Sequence, residues 1–168
     1  MRTHFETKKL VPCYSKEGRC EKCKLAENTW PSEMVFAIPK MYALRENLLE
    51  PLRLRYGKPI RVLRGFMCWK ELQKLKKRMR TYELEHDVDF IQYFSGECVD
   101  ITVTHGARKI VDGADEYMRA ENLKLARMIE EEMDFDQLLV FEDYVHVSYS
   151  RKENRREVIY KVKSYKED

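Results

Sequence analysis

Three features of the sequence predict an α+β fold with an antiparallel sheet and flanking helices. Apolar residues at helical spacing come early, between residues 34 and 56. Strand-like alternation of apolar and polar residues comes mostly late, between residues 98 and 149. A further helical stretch separates these late strands. Helices early and between strands, with most strands late, favour an α+β domain.

The first half of the chain is predicted to contain two helices and one strand. The spacing of apolar residues over 34–56 predicts a helix, and Pro51 predicts a break or kink near its end. A turn signal at 57–59 precedes a short strand over 60–63. Residues 69–84 predict a second helix that carries many lysines and arginines. We expect these cations to form a solvated face rather than a nucleic-acid site, because acidic residues follow them closely.

The second half of the chain is predicted to contain three strands and one helix. The strands cover residues 98–104, 137–141 and 144–149, and the helix covers residues 115–133. Side chains alternate between the two faces of a strand, so each strand has one apolar face and one more polar face.

Asp100 and His146 each lie on the strand face opposite the β-branched residues. If the two strands are neighbours in one sheet, both side chains meet on one open face. Aspartate and histidine are a workable pair of zinc ligands, but a catalytic zinc needs three protein ligands and a water. A polar pair on a solvated face is the alternative interpretation.

Composition and length exclude several classes of protein. A chain of 168 residues with 43% hydrophobic and 36% charged residues is typical of one ordinary globular domain. A net charge of +3 is too small to indicate a nucleic-acid partner, and no long apolar run predicts a membrane span. The segment Met1–Leu10 lacks the apolar region of a secretory signal. We therefore expect a cytoplasmic protein with reduced cysteines.

Residues 1–33 are predicted to form a cysteine-bearing extension packed on a domain that covers residues 34–168. The extension contains half of a structural zinc motif, made by His4 with three cysteines. These are Cys13, Cys20 and Cys23. A second Cys-x-x-Cys or a histidine pair is missing, so free thiols are expected instead.

Seven blocks of sequence, in order along the chain, resemble one known family. They are Leu49–Arg53, Tyr56–Val62, Gly65–Phe66, Gly96–Ile101, Phe135–Leu139, Val145–Tyr149 and Asn154–Arg156. Together they resemble the D-Ala-D-Ala carboxypeptidase family of zinc peptidases. That family includes phage endolysins that cut peptidoglycan peptides. The resemblance spans residues 40–160 and implies the fold that these enzymes share with the Hedgehog signalling domain.

The resemblance also implies roles for particular residues. Asp100 matches the zinc-binding aspartate of the family, and His146 matches its last zinc-binding histidine. Tyr93 stands where the first histidine is expected, and a phenol is a poor zinc ligand at neutral pH. Asp143 matches the acid/base glutamate, is one methylene shorter, and has Glu142 beside it.

Other replacements affect substrate binding and the loop before the metal site. The family segment Ser-Gly-Tyr-Arg is Arg64-Gly65-Phe66-Met67 here, so Met67 replaces the arginine that would hold substrate. The charged stretch 74–89 replaces a small, glycine-rich loop. Cys98, on the same strand face as Asp100, is an alternative third ligand. A small core residue is the simpler interpretation of that cysteine. His86 and His105 are nearby in sequence, and both are expected to be surface residues.

The resemblance implies a DD-peptidase-like protein with an eroded zinc site. We expect a pseudoenzyme, inactive or weakly active, that is a peptide-binding or peptidoglycan-binding remnant of phage or prophage origin. The alternative is an active zinc metallopeptidase that hydrolyses peptidoglycan peptides, with Asp143 or Glu142 as the base. Zinc is the implied cofactor and a peptidoglycan peptide is the implied ligand. The three-ligand requirement of catalytic zinc argues against a loaded site.

Overall fold

The structure is a computed structural model that describes residues 3–11, 32–79, 91–103 and 114–161. Some predicted features lie outside these ranges. They are Cys13, Cys20, Cys23, His86, His105, the end of the helix predicted over 69–84 and the end of the strand predicted over 98–104. Within the described ranges, no helix is long and apolar enough to cross a membrane.

The order of helices and strands confirms the predicted α+β class. A 3-10 turn at Thr7–Leu10 comes first. The helices are α1 (Ser32–Val35), α2 (Ile38–Leu44), α3 (Glu50–Tyr56), α4 (Trp69–Met79), α5 (Ile91–Ser95) and α6 (Ala114–Glu132). The strands are β1 (Ile60–Arg64), β2 (Cys98–Val103), β3 (Gln137–Val140), β4 (Val145–Ser148) and β5 (Glu157–Tyr160).

The helix predicted over 34–56 contains a π-helical segment, Arg45–Leu49, between α2 and α3. Pro51 lies in the first turn of α3, just after this segment. Proline has no N–H to donate, and its ring clashes with the carbonyl four residues earlier in a regular helix. In the π segment the N–H of Glu50 donates to the carbonyl of Arg45, five residues back. This wider turn accommodates Pro51 and is the irregularity that the proline predicts.

The five strands form one sheet in the order β1-β2-β4-β3-β5. The first three pairings are antiparallel, but β3 and β5 are parallel, so the prediction of an antiparallel sheet is wrong for its last strand. After β4 the chain crosses β3, and β5 then pairs with the other side of β3 at the edge of the sheet. Residues 157–160 are half-buried or exposed, and they lack the apolar alternation by which the other strands are recognised.

Both faces of the sheet are covered. One face forms the main core with α2, α3 and α6, and it includes the apolar side chains of β2 and β4. They are Val99, Ile101, Val103, Val145 and Val147, which confirms the predicted alternation of both strands. Phe5, Leu10 and Val11 from the N-terminal segment are buried in this same core. The opposite face carries a second, smaller cluster built with α4 and α5.

Candidate functional site

Three neighbouring strands place Arg64, Asp100 and His146 in one row across the sheet. Arg64 is directly opposite Asp100 in the pairing of β1 with β2. Asp100 is directly opposite His146 in the pairing of β2 with β4. Side chains at directly opposed positions of an antiparallel pair lie on the same face and reach one another. The predicted meeting of Asp100 and His146 on one face is therefore confirmed.

Tyr93 reaches the same point from α5. This short helix ends at Gly96, where the positive φ of 75° suits a glycine, and the N–H of Glu97 returns to the carbonyl of Gln92. The carbonyl of Tyr93 accepts a hydrogen bond from the N–H of Met67. These bonds fix the start of β2 and the loop after β1 on either side of the tyrosine.

The Tyr93 hydroxyl lies between the aspartate and the histidine. Its oxygen is 2.9 Å from Asp100 Oδ1, 2.8 Å from Asp100 Oδ2 and 3.1 Å from His146 Nδ1. His146 Nδ1 is itself 2.7 Å from Asp100 Oδ1. Because a carboxylate only accepts hydrogen bonds, both the phenol and Nδ1 donate to Asp100. The atoms that face one another, namely the Asp100 oxygens, the Tyr93 hydroxyl and His146 Nδ1, thus satisfy one another directly.

Arg64 is a fourth member of this group that the sequence did not predict. Its Nε donates to Asp100 Oδ2, and its guanidinium lies over the Tyr144 ring, 4.9 Å from the ring centroid. The pairing of β1 with β2 shifts register between Val62 and Arg64. Such a bulge turns one side chain onto the other face. Counting alternate residues along β1 therefore does not reveal that Arg64 faces Asp100.

The neighbours of Asp100 favour its ionised form. Burial alone would raise the pKa of Asp100, but the hydrogen bond and charge of His146, with the charge of Arg64, hold that pKa below its usual value. Burial and the negative charge of Asp100 raise the pKa of the Tyr93 phenol well above its usual value. Asp100 is thus held as a carboxylate, and Tyr93 is held as a neutral hydrogen-bond donor.

The expectation that Asp100 and His146 lie on an open face is wrong. Asp100, His146 and Tyr93 are each 0% exposed. Helix α4 covers this face of the sheet with Leu72 and Leu75, which pack against Tyr93 in the smaller cluster. The cation-rich sequence of α4 does not indicate this packing. Its leucines Leu72 and Leu75 are buried on one side of the helix, while Lys70, Lys74 and Lys77 are exposed.

The polar atoms of the cluster lie closer together than zinc ligands do. Zinc bonds of about 2.0–2.2 Å in a tetrahedron separate the ligand atoms by about 3.3–3.5 Å. Here the aspartate, histidine and tyrosine atoms are 2.7–3.1 Å apart, which are hydrogen-bond distances. The described residues include no group of three or more His, Cys, Asp or Glu side chains that could hold a metal ion. The atoms that face one another here, including His146 Nδ1, are therefore not arranged as the ligands of a tetrahedral zinc.

The two candidate acid/base residues lie at the edge of the site, in the turn between β3 and β4. Asp143 is exposed, and its backbone carbonyl accepts a hydrogen bond from Thr102. The Glu142 carboxylate pairs with Arg119 at 3.4 Å. In the described part of the chain, neither carboxylate is hydrogen-bonded to the buried cluster. The structure therefore brings together Asp100, His146 and Tyr93, and leaves Asp143 and Glu142 outside.

The other candidate residues have separate environments. Cys98 is buried and packs in the smaller cluster with Leu139. Met67 is partly buried against the same cluster. His4 Nδ1 pairs with Glu50 at 2.8 Å, at the N-terminal segment and far from the sheet site in sequence.

No protein-family model, curated protein or solved structure matches this chain.

Proposed function

We propose that this protein is a non-catalytic relative of the DD-peptidases, in which a closed hydrogen-bonded cluster replaces the zinc site. The observation that carries the proposal is the position of the Tyr93 hydroxyl, within 3.1 Å of both Asp100 and His146. A metal ion would compete with the phenol for the lone pairs of the Asp100 carboxylate. The hydrogen bonds that Tyr93 and His146 donate occupy those lone pairs without a metal.

Zinc-dependent hydrolysis needs two things that this arrangement lacks. A catalytic zinc keeps one coordination position open for water, whereas Asp100 and His146 are fully buried beneath α4. A general base must come within about 2.6–3.2 Å of the water it activates. Asp143 is exposed at the edge of the site rather than inside it. Both points favour a protein that does not hydrolyse peptides.

Without hydrolysis, binding of a peptidoglycan peptide is the function that the resemblance to the DD-peptidases still supports. An exposed apolar edge beside the cluster supports it: Trp69 is 47% exposed and Ile91 is 52% exposed. Trp69 packs edge-on against Phe94 with ring centroids 5.8 Å apart, and Phe94 stacks on Phe66. Aromatic side chains that are partly exposed and held by their neighbours are typical of binding surfaces.

Metal content and hydrolysis test the loss of catalysis. We expect protein purified without chelators to contain far less than one zinc per chain at the sheet site. We also expect no cleavage of a peptide that ends in D-Ala-D-Ala or of purified peptidoglycan. His146→Ala is the matched control and should change neither result. Stoichiometric zinc together with cleavage, both lost in His146→Ala, would overturn the proposal.

Cosedimentation with purified peptidoglycan tests the binding role. Trp69→Ala should weaken cosedimentation. Tyr117→Ala should not, because Tyr117 is a similarly exposed aromatic residue, at 46%, on helix α6, which packs in the main core on the other face of the sheet. Absence of cosedimentation, or equal binding by both variants, would contradict a peptidoglycan site at Trp69.

One observation favours an active zinc metallopeptidase as the second candidate. His146 Nε2 is buried and has no hydrogen-bond partner among the described residues. Since Nδ1 donates to Asp100, the neutral ring carries its lone pair on Nε2, the form in which histidine binds zinc. The zinc measurement separates the two candidates, because only this one requires a loaded site.

A further inference from the structure

We propose that Arg64 supplies the positive charge that balances the buried Asp100 carboxylate, in place of the metal cation of a zinc site. This inference rests on the proposed function, since it treats the cluster as the replacement of a zinc site. It goes further by assigning the replacement to a particular residue. It also predicts that metal binding can be recovered only when Arg64 is removed together with Tyr93.

The need for a counter-charge follows from the burial of Asp100. A carboxylate with no exposed surface is stable as an anion only when a cation and hydrogen-bond donors compensate for its lost hydration. Tyr93 is a neutral donor. Arg64 is the permanent cation that contacts the carboxylate, and it remains charged at any pH at which the protein is folded.

The fold holds Arg64 in this position by three separate means. The register shift after Val62 turns its side chain toward Asp100. The Tyr144 ring lies beneath the guanidinium at 4.9 Å, a favourable cation–π distance. The side chain of Arg64 is only 31% exposed, so its charge is partly desolvated and interacts strongly with the carboxylate.

Arg64 and Tyr93 oppose a metal in different ways. Arg64 occupies Asp100 Oδ2 and repels a second cation nearby. Tyr93 occupies the space between Asp100 and His146, and it would bind a metal well only after losing a proton. Replacing Tyr93 with histidine supplies a third ligand but leaves the repelling cation in place. Removal of both obstacles should therefore be required for tight binding.

The test titrates zinc chloride alone into four proteins: wild type, Tyr93→His, Arg64→Ser and the double variant Arg64→Ser/Tyr93→His. Competition with a chromogenic chelator gives the affinity and the stoichiometry. We expect one zinc per chain only in the double variant, with binding at least about tenfold tighter than in Tyr93→His. Adding His146→Ala to the double variant should abolish that binding. Arg61→Ser/Tyr93→His is the matched control, since Arg61 is an exposed arginine on the same strand, and it should bind no better than Tyr93→His.

The outcomes distinguish this inference from the proposed function. Stoichiometric, His146-dependent zinc in the wild type would overturn both. Equal affinities for Tyr93→His and the double variant would overturn the role of Arg64 and leave the proposed function intact. A folded double variant that binds no zinc would also overturn the role of Arg64.

A stability measurement keeps the inference testable if the double variant does not fold. Arg64→Ser alone should lower the melting temperature because it leaves Asp100 buried without a cation. Adding Asp100→Asn should recover part of that loss, since the amide carries no charge. Arg64→Lys should lose less than Arg64→Ser. No recovery by Asp100→Asn would refute the counter-charge role.

Discussion

Replacing Tyr93 with phenylalanine removes one hydroxyl from the buried cluster and leaves the ring in place. The hydroxyl donates to a fully buried carboxylate at 2.8–2.9 Å. A hydrogen bond to a charged group contributes about 1.5–3 kcal/mol to stability, and removal of a hydroxyl leaves almost no cavity. Asp100 keeps its bonds from Arg64 and His146, which places the expected loss near the middle of that range, at about 2 kcal/mol.

Thermal and urea unfolding followed by circular dichroism measures this loss. In a chain of 168 residues, a loss of about 2 kcal/mol corresponds to a melting temperature lower by about 4–8 °C. Tyr160→Phe is the matched control. Its hydroxyl donates to Glu130 at 2.7 Å, but the side chain is 37% exposed, so the change should stay within about 0.5 kcal/mol. A Tyr93→Phe protein as stable as Tyr160→Phe would refute the view that this phenol satisfies a buried carboxylate.

Two further predictions concern how the N-terminal segment is held. The Glu50 carboxylate accepts hydrogen bonds from residues 3–5. Partial burial alone would raise the pKa of Glu50, but these hydrogen bonds lower it to about 2. Glu50→Gln should therefore lower the free energy of unfolding in urea by about 1–3 kcal/mol at pH 7. Because the folded pKa lies below the usual 4.5, this contribution is present above about pH 4.5 and is lost as the pH falls toward 2. The difference between the two proteins should therefore shrink with acid, and a constant difference would contradict the assignment. A Cβ at Gly65 would overlap the Leu10 carbonyl. Gly65→Ala should therefore lower the free energy of unfolding by about 1–3 kcal/mol, measured by thermal unfolding. An unchanged melting temperature would contradict this close approach.

The pattern of side chains along each strand was predictable because it depends only on local geometry. Successive residues of a strand point to opposite faces, so the apolar residues of β2 and β4 identified their core face without any knowledge of the partner strand. Asp100 and His146 were assigned correctly to the other face for the same reason. Tyr93, which the resemblance aligns with a metal ligand, contacts both of them.

Arg64 was not predictable in the same way. The register shift in β1 breaks the alternation on which the prediction relies, and the partner of Arg64 is 36 residues away in the sequence. The parallel pairing of β5 with β3 was missed because an exposed edge strand has little apolar pattern to reveal it. In both cases the decisive contact is made between segments that are distant in the chain.

The α+β class, the faces of β2 and β4 and the residue types available at the site all follow from local sequence patterns. The closure of the site does not, because it depends on how segments distant in the chain pack together. The apolar stripe of α4 could have faced any part of the protein, and its packing over Tyr93 determines that Asp100 and His146 are buried. Burial in turn makes the positive charge of Arg64 necessary, because an aspartate removed from water requires a cation beside it.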